Sequence, residues 1–150
     1  MTGKMFVDTN LLVYMRDHSD PSKQNRAEAW MRALWRDRKG VLSAQVLREY
    51  YHAVTRKARI GLDRDAARRD VRDLATWLLP ETRVDQTDDA FDLQDRFGFS
   101  FFDSLIVASA LGAGARALLT EDMHDGLRVG DLVLINPFRH APQDVLGRAV

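Results

Sequence analysis

Short apolar runs alternate with longer amphipathic stretches along this chain, and no other feature constrains its fold as tightly. Apolar, strand-prone runs fall at Met5–Asp8, Val41–Leu42, Thr82–Val84, Arg116–Thr120 and Leu132–Ile135. Between them the helical period takes over. A helical stretch begins at Leu11–Met15, and Ala27, Trp30, Met31 and Leu34 then recur at i, i+3, i+4 and i+7, a stripe that Gly40 is expected to stop. Val46, Leu47, Tyr50, Tyr51 and Val54 mark the next helix, with Ser43 placed to cap it. Asp63 can cap another, whose Ala67, Val71, Leu74, Ala75 and Leu78 share one face before Pro80 ends it. A polar helix follows from about Thr87 to Arg96. Ser100-Phe101-Phe102-Asp103 then opens a far more apolar one, Leu105 to Leu111. Strands alternating with helices predict a three-layer α/β/α domain with a four- or five-stranded, mainly parallel sheet. In such a sheet the strand C-termini and the following helix N-termini lie on one edge, where ligands bind.

The 150 residues read as one domain, 1–150, with no internal repeat, low-complexity tract or linker. No apolar run approaches the roughly 18 residues of a membrane span. A single Lys4 before a short apolar run broken by Asp8 does not read as an export signal, so a cytoplasmic protein without membrane association is expected. The absence of cysteine removes disulfides, thiolate metal sites and cysteine nucleophiles together. Net charge is zero, so nothing global marks a nucleic-acid binder. The local distribution is uneven. Residues 48–72 hold eight basic side chains, Arg56, Lys57, Arg59, Arg68, Arg69 and Arg72 among them, against four acids, whereas residues 81–103 hold seven acids against Arg83 and Arg96. Charge alternation of this kind on helices ordinarily marks a solvated face.

The acids that the expected architecture collects on the ligand-binding edge carry the functional argument. Asp8 ends the first strand within the apolar stretch MFVDTNLLVYM, where an unpaired carboxylate would be costly to bury. Glu49 lies in the second turn of the helix after the second strand. Asp103 falls in the first turn of the most apolar helix, and Asp122 follows the strand at 116–120, with Glu121 and Asp125 as alternatives to it. Each has a structural reading. Asp103 stands three residues after Ser100, a capping-box spacing; Glu49 can be a plain surface residue, and Asp122 a turn or cap. Together, however, four carboxylates repel: a pair 4 Å apart costs roughly 4 kcal/mol at an effective dielectric near 20. A cation must offset that, and all-oxygen ligands point to magnesium or manganese. His18, His52, His124 and His140 show no paired spacing for zinc.

The segments FVDTNLLVY, Ser43 with Val46–Glu49, FSFFDSLIVASAL, and ALLTED followed by INPF resemble the PIN domain, most closely the VapC-type ribonuclease toxins of type II toxin–antitoxin pairs. The resemblance spans about residues 5–138. It implies a magnesium- or manganese-dependent endoribonuclease that hydrolyses RNA with metal-activated water and leaves a 5′ phosphate. Carried over by position, it implies Asp8, Glu49, Asp103 and Asp122 as catalytic, metal-binding acids. Asp8 and Asp103 would hold the principal ion, with Thr9, Asn10, Ser43 and Thr120 lining the pocket. It further implies a small cognate antitoxin and a homodimer. Trp30, Trp35, Tyr50, Tyr51 and Trp77 are numerous enough to serve both a core and an interface. Arginines within 48–72 are candidates to contact the RNA backbone.

Two other readings share this frame. A haloacid-dehalogenase-type phosphatase also places an Asp after its first strand, but needs a second carboxylate two residues on, where Asn10 stands, and a lysine at the phosphate. A catalytically silent RNA- or partner-binding domain of the same fold would have no reason to keep four mutually repelling acids.

Overall fold

The computed structural model describes residues 2–80 and 83–147. Among them, five strands form one sheet: β1 (Met5–Val7), β2 (Gly40–Val41), β3 (Ala117–Leu119), β4 (Arg128–Val129) and β5 (Leu132–Ile135), in the order β2-β1-β3-β5-β4. β2, β1, β3 and β5 are parallel, and β4 returns antiparallel on β5. Every residue of β1 and β3 is fully buried. That is why these strands read as unbroken apolar runs: helices cover both faces of a parallel sheet, leaving no solvent side to alternate toward.

The helices are α1 (Thr9–Tyr14), α2 (Pro21–Asp37), α3 (Ala44–Arg56), α4 (Arg64–Leu74), α5 (Gln86–Phe97), α6 (Phe101–Gly112) and α7 (Pro142–Leu146). They pack chiefly as two groups, α1 to α4 with α7, and α5 with α6. The result is the expected three-layer α/β/α fold. From β1 the chain moves to β2 on one side, then returns across β1 to β3 on the other. Such a reversal opens a crevice at the carboxyl ends of the strands.

Local chemistry explains the boundaries. The Asp20 side chain accepts from the Lys23 amide (3.1 Å) and Pro21 starts α2, a matched pair of helix-initiating signals. The helix ends at Asp37, with Arg38 in the left-handed region (φ 55°), rather than at Gly40. Gly40 instead begins β2, where a Cβ would lie 2.7 Å from the Trp77 ring. Likewise α4 stops at Leu74 and a 3-10 turn, Ala75–Trp77, follows, so Pro80 is not its terminator.

The expected strand at Thr82–Val84 is not found. Thr82 lies outside the described residues, while Arg83 and Val84 belong to no strand and Val84 is almost fully exposed. Its place beside β2 is taken by Leu78, which bridges Leu42 in parallel, with Leu79 N–H donating to Leu42 O at 2.8 Å. The short β4 and α7 carry no periodic signal and were not legible in the sequence. Of the five Trp and Tyr residues counted toward core and interface, Trp30, Tyr50 and Trp77 are buried; Trp35 is exposed and Tyr51 half-buried. The Tyr50 hydroxyl donates to Asp70, which also accepts two bonds from Arg16 (2.8 and 2.7 Å), tying α3, α4 and the end of α1 together.

Candidate active site

β1 and β3 pair with Val7 opposite Leu119, so the next residues, Asp8 and Thr120, leave the sheet side by side. Asp8 N–H donates to Leu119 O (3.1 Å), prolonging the ladder by one bond before the chain turns into α1. The Asp8 carboxylate caps that helix, accepting from Thr9 N–H at 2.7 Å, and its second oxygen accepts from the Thr120 hydroxyl at 2.8 Å. Only 5% of Asp8 is exposed. Burial is the main reason its pKa rises from 3.8 to about 6; the Thr120 and Thr9 hydrogen bonds oppose the rise, and the charges of Asp103 and Asp122 add to it.

The other three acids arrive from separate elements. Glu49, exposed on α3, is held at both oxygens, by the Thr9 hydroxyl (2.8 Å) and by Gln45 Nε2 (2.9 Å). Asp122 follows β3, and its Oδ2 accepts from Asn10 Nδ2 at 3.1 Å. Asp103 lies in the first turn of α6, where its amide donates to Ser100 Oγ (3.1 Å), so the spacing noted in the sequence does start the helix. Its carboxyl has a raised pKa, first through partial burial, then through Asp122 and Glu49, against the opposing Ser100 hydrogen bond. Asp8, Glu49, Asp103 and Asp122 thus stand on one edge, close enough to act on one another electrostatically.

Thr9, Asn10 and Thr120 are the polar frame of this edge. Asn10 spans it, its Oδ1 accepting from Glu121 N–H (3.3 Å) while Nδ2 holds Asp122. Ser43 is the exception among the pocket-lining candidates. Its hydroxyl faces the Val46 amide (3.4 Å) as the cap of α3, and it borders a separate cavity of about 190 Å³ with Leu79, Arg83 and Gln86. Among the described residues it makes no hydrogen bond to the four acids.

Glu121 and Asp125, the alternatives to Asp122, are engaged elsewhere. Glu121 forms an ion pair with Lys23. Asp125 accepts from Asn136 N–H (2.8 Å) and contacts His140 Nε2 (2.9 Å); burial would raise its pKa, but these two partners outweigh it and hold it low. Two further participants were missed in the sequence. Gln45 precedes Glu49 by one helical turn, a spacing that was there to be read. Lys23, 98 residues before Glu121, gave no local signal.

Among the described residues no lysine or arginine pairs with any of the four acids, and no three His, Asp or Glu side chains are grouped closely enough to hold a metal ion as they stand. The donor chemistry nevertheless suits a hard cation: oxygen ligands only, one of them resisting ionisation chiefly because burial desolvates its charge, with Asp103 and Asp122 adding to the effect. Between α3 and α4, Arg48, Arg68 and Arg72 border a groove of about 380 Å³ lined also by Leu47, Tyr51 and Val71. No helix among the described residues is long and apolar enough to cross a membrane.

A family model described as the PIN domain matches residues 5–125. The chain is similar in structure to VapC20 of Mycobacterium tuberculosis, a sarcin–ricin loop cleaving toxin, with TM-score 0.60 and 21% identity over 79% of this chain and 90% of that one. It is also similar to a toxin–antitoxin complex from Klebsiella pneumoniae (TM-score 0.61, 18% identity, 90% of this chain and 98% of that one). A third likeness is to VapBC2 from Rickettsia felis bound to a DNA fragment of its promoter (TM-score 0.56, 20% identity, 87% and 96%). Identities this low speak for a shared fold. No curated protein sequence matches the chain.

Proposed function

This chain belongs to the PIN domain family, and from that premise we propose that it is a metal-dependent endoribonuclease acting as the toxin of a toxin–antitoxin pair. The observation that carries the reading is the meeting of Asp8, Glu49, Asp103 and Asp122 on one sheet edge, coupled and without a basic partner among the described residues. Family membership speaks against the phosphatase alternative, and Asn10 is engaged with Asp122 rather than standing in for a second catalytic acid.

Asp8 and Asp103 would hold the principal ion, magnesium or manganese, with Glu49 and Asp122 completing its surroundings. When bound, such an ion polarises a phosphate oxygen and lowers the pKa of water to near neutrality. The chain's own residues do the positioning. Thr9 N–H and Thr120 Oγ fix the rotamer of Asp8, and Thr9 with Gln45 fixes Glu49. Asn10 holds Asp122 from across the crevice. Glu49 and Asp122, the two exposed carboxylates, are available to orient the attacking water. The arginine-bordered groove offers phosphate contacts that would place an RNA strand without reading its sequence.

The Mycobacterium tuberculosis neighbour is a sarcin–ricin loop cleaving toxin, the Klebsiella neighbour is a toxin–antitoxin complex, and the Rickettsia neighbour is a VapBC2 assembly. These support RNA as substrate and a protein antitoxin as partner. A homodimer accords with the family resemblance and with Trp35 left exposed after the core is filled.

The test is cleavage of total RNA by the purified protein with manganese, with magnesium and with EDTA, beside Asp103→Asn. Cleavage that needs metal and falls on the order of 10²-fold in the variant is expected, the size of losing one electrostatic stabiliser of the transition state. Metal-independent cleavage, or an unaffected variant, would overturn the assignment.

A further inference from the structure

β3 delivers two acids in succession, Glu121 and Asp122, and the fold sends them to different tasks. Asp122 is turned to Asn10 on the carboxylate edge, while Glu121 is drawn to Lys23. We propose that Lys23 is a positioning residue for Asp122, withdrawing Glu121 from the acid cluster and anchoring the exit of β3. The consequence for metal binding rests on the ribonuclease reading above; the anchoring itself does not.

Lys23 is gripped from three elements. Its ammonium donates to the hydroxyl of Tyr14, the last residue of α1, at 3.3 Å, and stands 4.6 Å from the centre of that ring. It lies 5.2 Å from the ring of Phe138, just beyond β5, and the two rings meet edge to face at 5.0 Å. Aromatic faces attract a cation and exclude water from it. The Lys23 backbone is fixed as well, its amide capped by Asp20 at the start of α2. The paired side chains are only 31% and 24% exposed, so solvent screens them less than an exposed surface pair.

From this anchor a continuous chain of bonds leads to the site. Lys23 holds the Glu121 carboxylate, the Glu121 amide donates to Asn10 Oδ1 (3.3 Å), and Asn10 Nδ2 donates to Asp122 Oδ2 (3.1 Å). Beyond that, the Asp122 amide has only a 3.3 Å bond to the Thr120 hydroxyl. Without Lys23, the two residues between the Thr120 amide, held by Ile135 O at 3.0 Å, and the buried Met123 keep only these long bonds among those described, and Glu121 becomes a fifth carboxylate beside four that already repel.

The experiment compares wild type, Lys23→Met, Lys23→Arg, Glu121→Gln and Asp122→Asn. Amide hydrogen exchange on the metal-free proteins reads the anchoring directly: Lys23→Met should accelerate exchange at Glu121 and Asp122 while the amides of β1 and β5 stay protected. Manganese binding reads the consequence. Lys23→Met should weaken it about tenfold, the usual scale for removing a group that orients a ligand, and lower kcat on RNA with KM little changed. Glu121→Gln should keep affinity within about threefold while Asp122→Asn loses at least tenfold, and Lys23→Arg, which keeps a cation against the Tyr14 and Phe138 rings, should recover most of the Lys23→Met loss. Unchanged exchange at Glu121 and Asp122 in Lys23→Met would overturn the proposal, as would a Lys23→Arg variant no better than Lys23→Met. Glu121→Gln as damaging to manganese binding as Asp122→Asn would overturn it too, by making Glu121 the ligand. A wild type that neither binds manganese nor cleaves RNA, with the exchange result as expected, would instead overturn the ribonuclease reading and leave the anchor standing.

Discussion

Asp8→Asn should stabilise the metal-free protein at neutral pH and lose that advantage in acid. The native Asp8 carboxyl releases its proton near pH 6, whereas the unfolded chain releases it near 3.8. Between those values the folded state holds the extra proton, so raising the pH through this window destabilises the wild type. The shift of about two pK units, at about 1.4 kcal/mol each, amounts to roughly 3 kcal/mol of stability forgone once Asp8 is ionised. Asparagine removes the buried charge and still caps a helix as well as aspartate. The shift already includes the Thr9 and Thr120 hydrogen bonds, but an amide offers one acceptor oxygen where the carboxylate offers two, so the Thr120 hydroxyl must turn to accept from Nδ2, which returns about 1–2 kcal/mol. The net expectation is a gain of roughly 1–2 kcal/mol above pH 7, shrinking to nothing or reversing near pH 4. Urea unfolding of both proteins in EDTA at pH 4, 5.5 and 7.5 measures it. A difference that is flat with pH, or an Asn variant less stable at pH 7.5, would refute the claim that burial of an uncompensated carboxylate dominates at this position. The variant should also fail to cleave RNA, so stability and activity move in opposite directions.

Asp103→Asn should leave the metal-free melting temperature unchanged or raised, because it relieves repulsion from Asp122 and Glu49, and should show a smaller manganese-induced rise than wild type; paired thermal melts decide it. Asp125→Asn should lower stability by about 1 kcal/mol through its weakened contacts with His140 and Asn136, yet keep the wild-type manganese shift. Gly40→Ala should cost about 1–3 kcal/mol by driving a Cβ into the Trp77 ring, visible in denaturant unfolding.

Much of the fold could be read from local chemistry, because local chemistry is what starts and stops its elements. Asp20-Pro21, Ser43, Asp63 and Ser100 each supply a cap where a helix begins, and each does so through its own side chain or ring. The doubly buried strands β1 and β3 announced themselves as apolar runs for the same reason they are central: both faces are covered. Thr82–Val84 misled because β-propensity alone does not make a strand. Leu78, bridged to Leu42 by the flanking bonds from Leu42 N–H to Trp77 O and from Leu79 N–H to Leu42 O, took the edge instead.

The four acids, too, could be nominated from sequence, since a carboxylate just after a strand or in the first two turns of the following helix lies toward the ligand edge of a parallel sheet. What the sequence could not decide was which neighbour each acid would meet. Asp8 and Thr120 touch because β1 and β3 pair in one register rather than another, and 112 residues separate them. Glu121, Asp122 and Asp125 are equivalent as letters, and only tertiary contact distinguishes them: Lys23 takes the first, Asn10 the second, His140 and Asn136 the third. The same holds for charge. The composition says Asp8 is an acid; that its proton stays on to about pH 6 follows from the strands, helices and carboxylates packed around it, because desolvation and Coulomb energy depend on what lies within a few ångströms in space rather than along the chain.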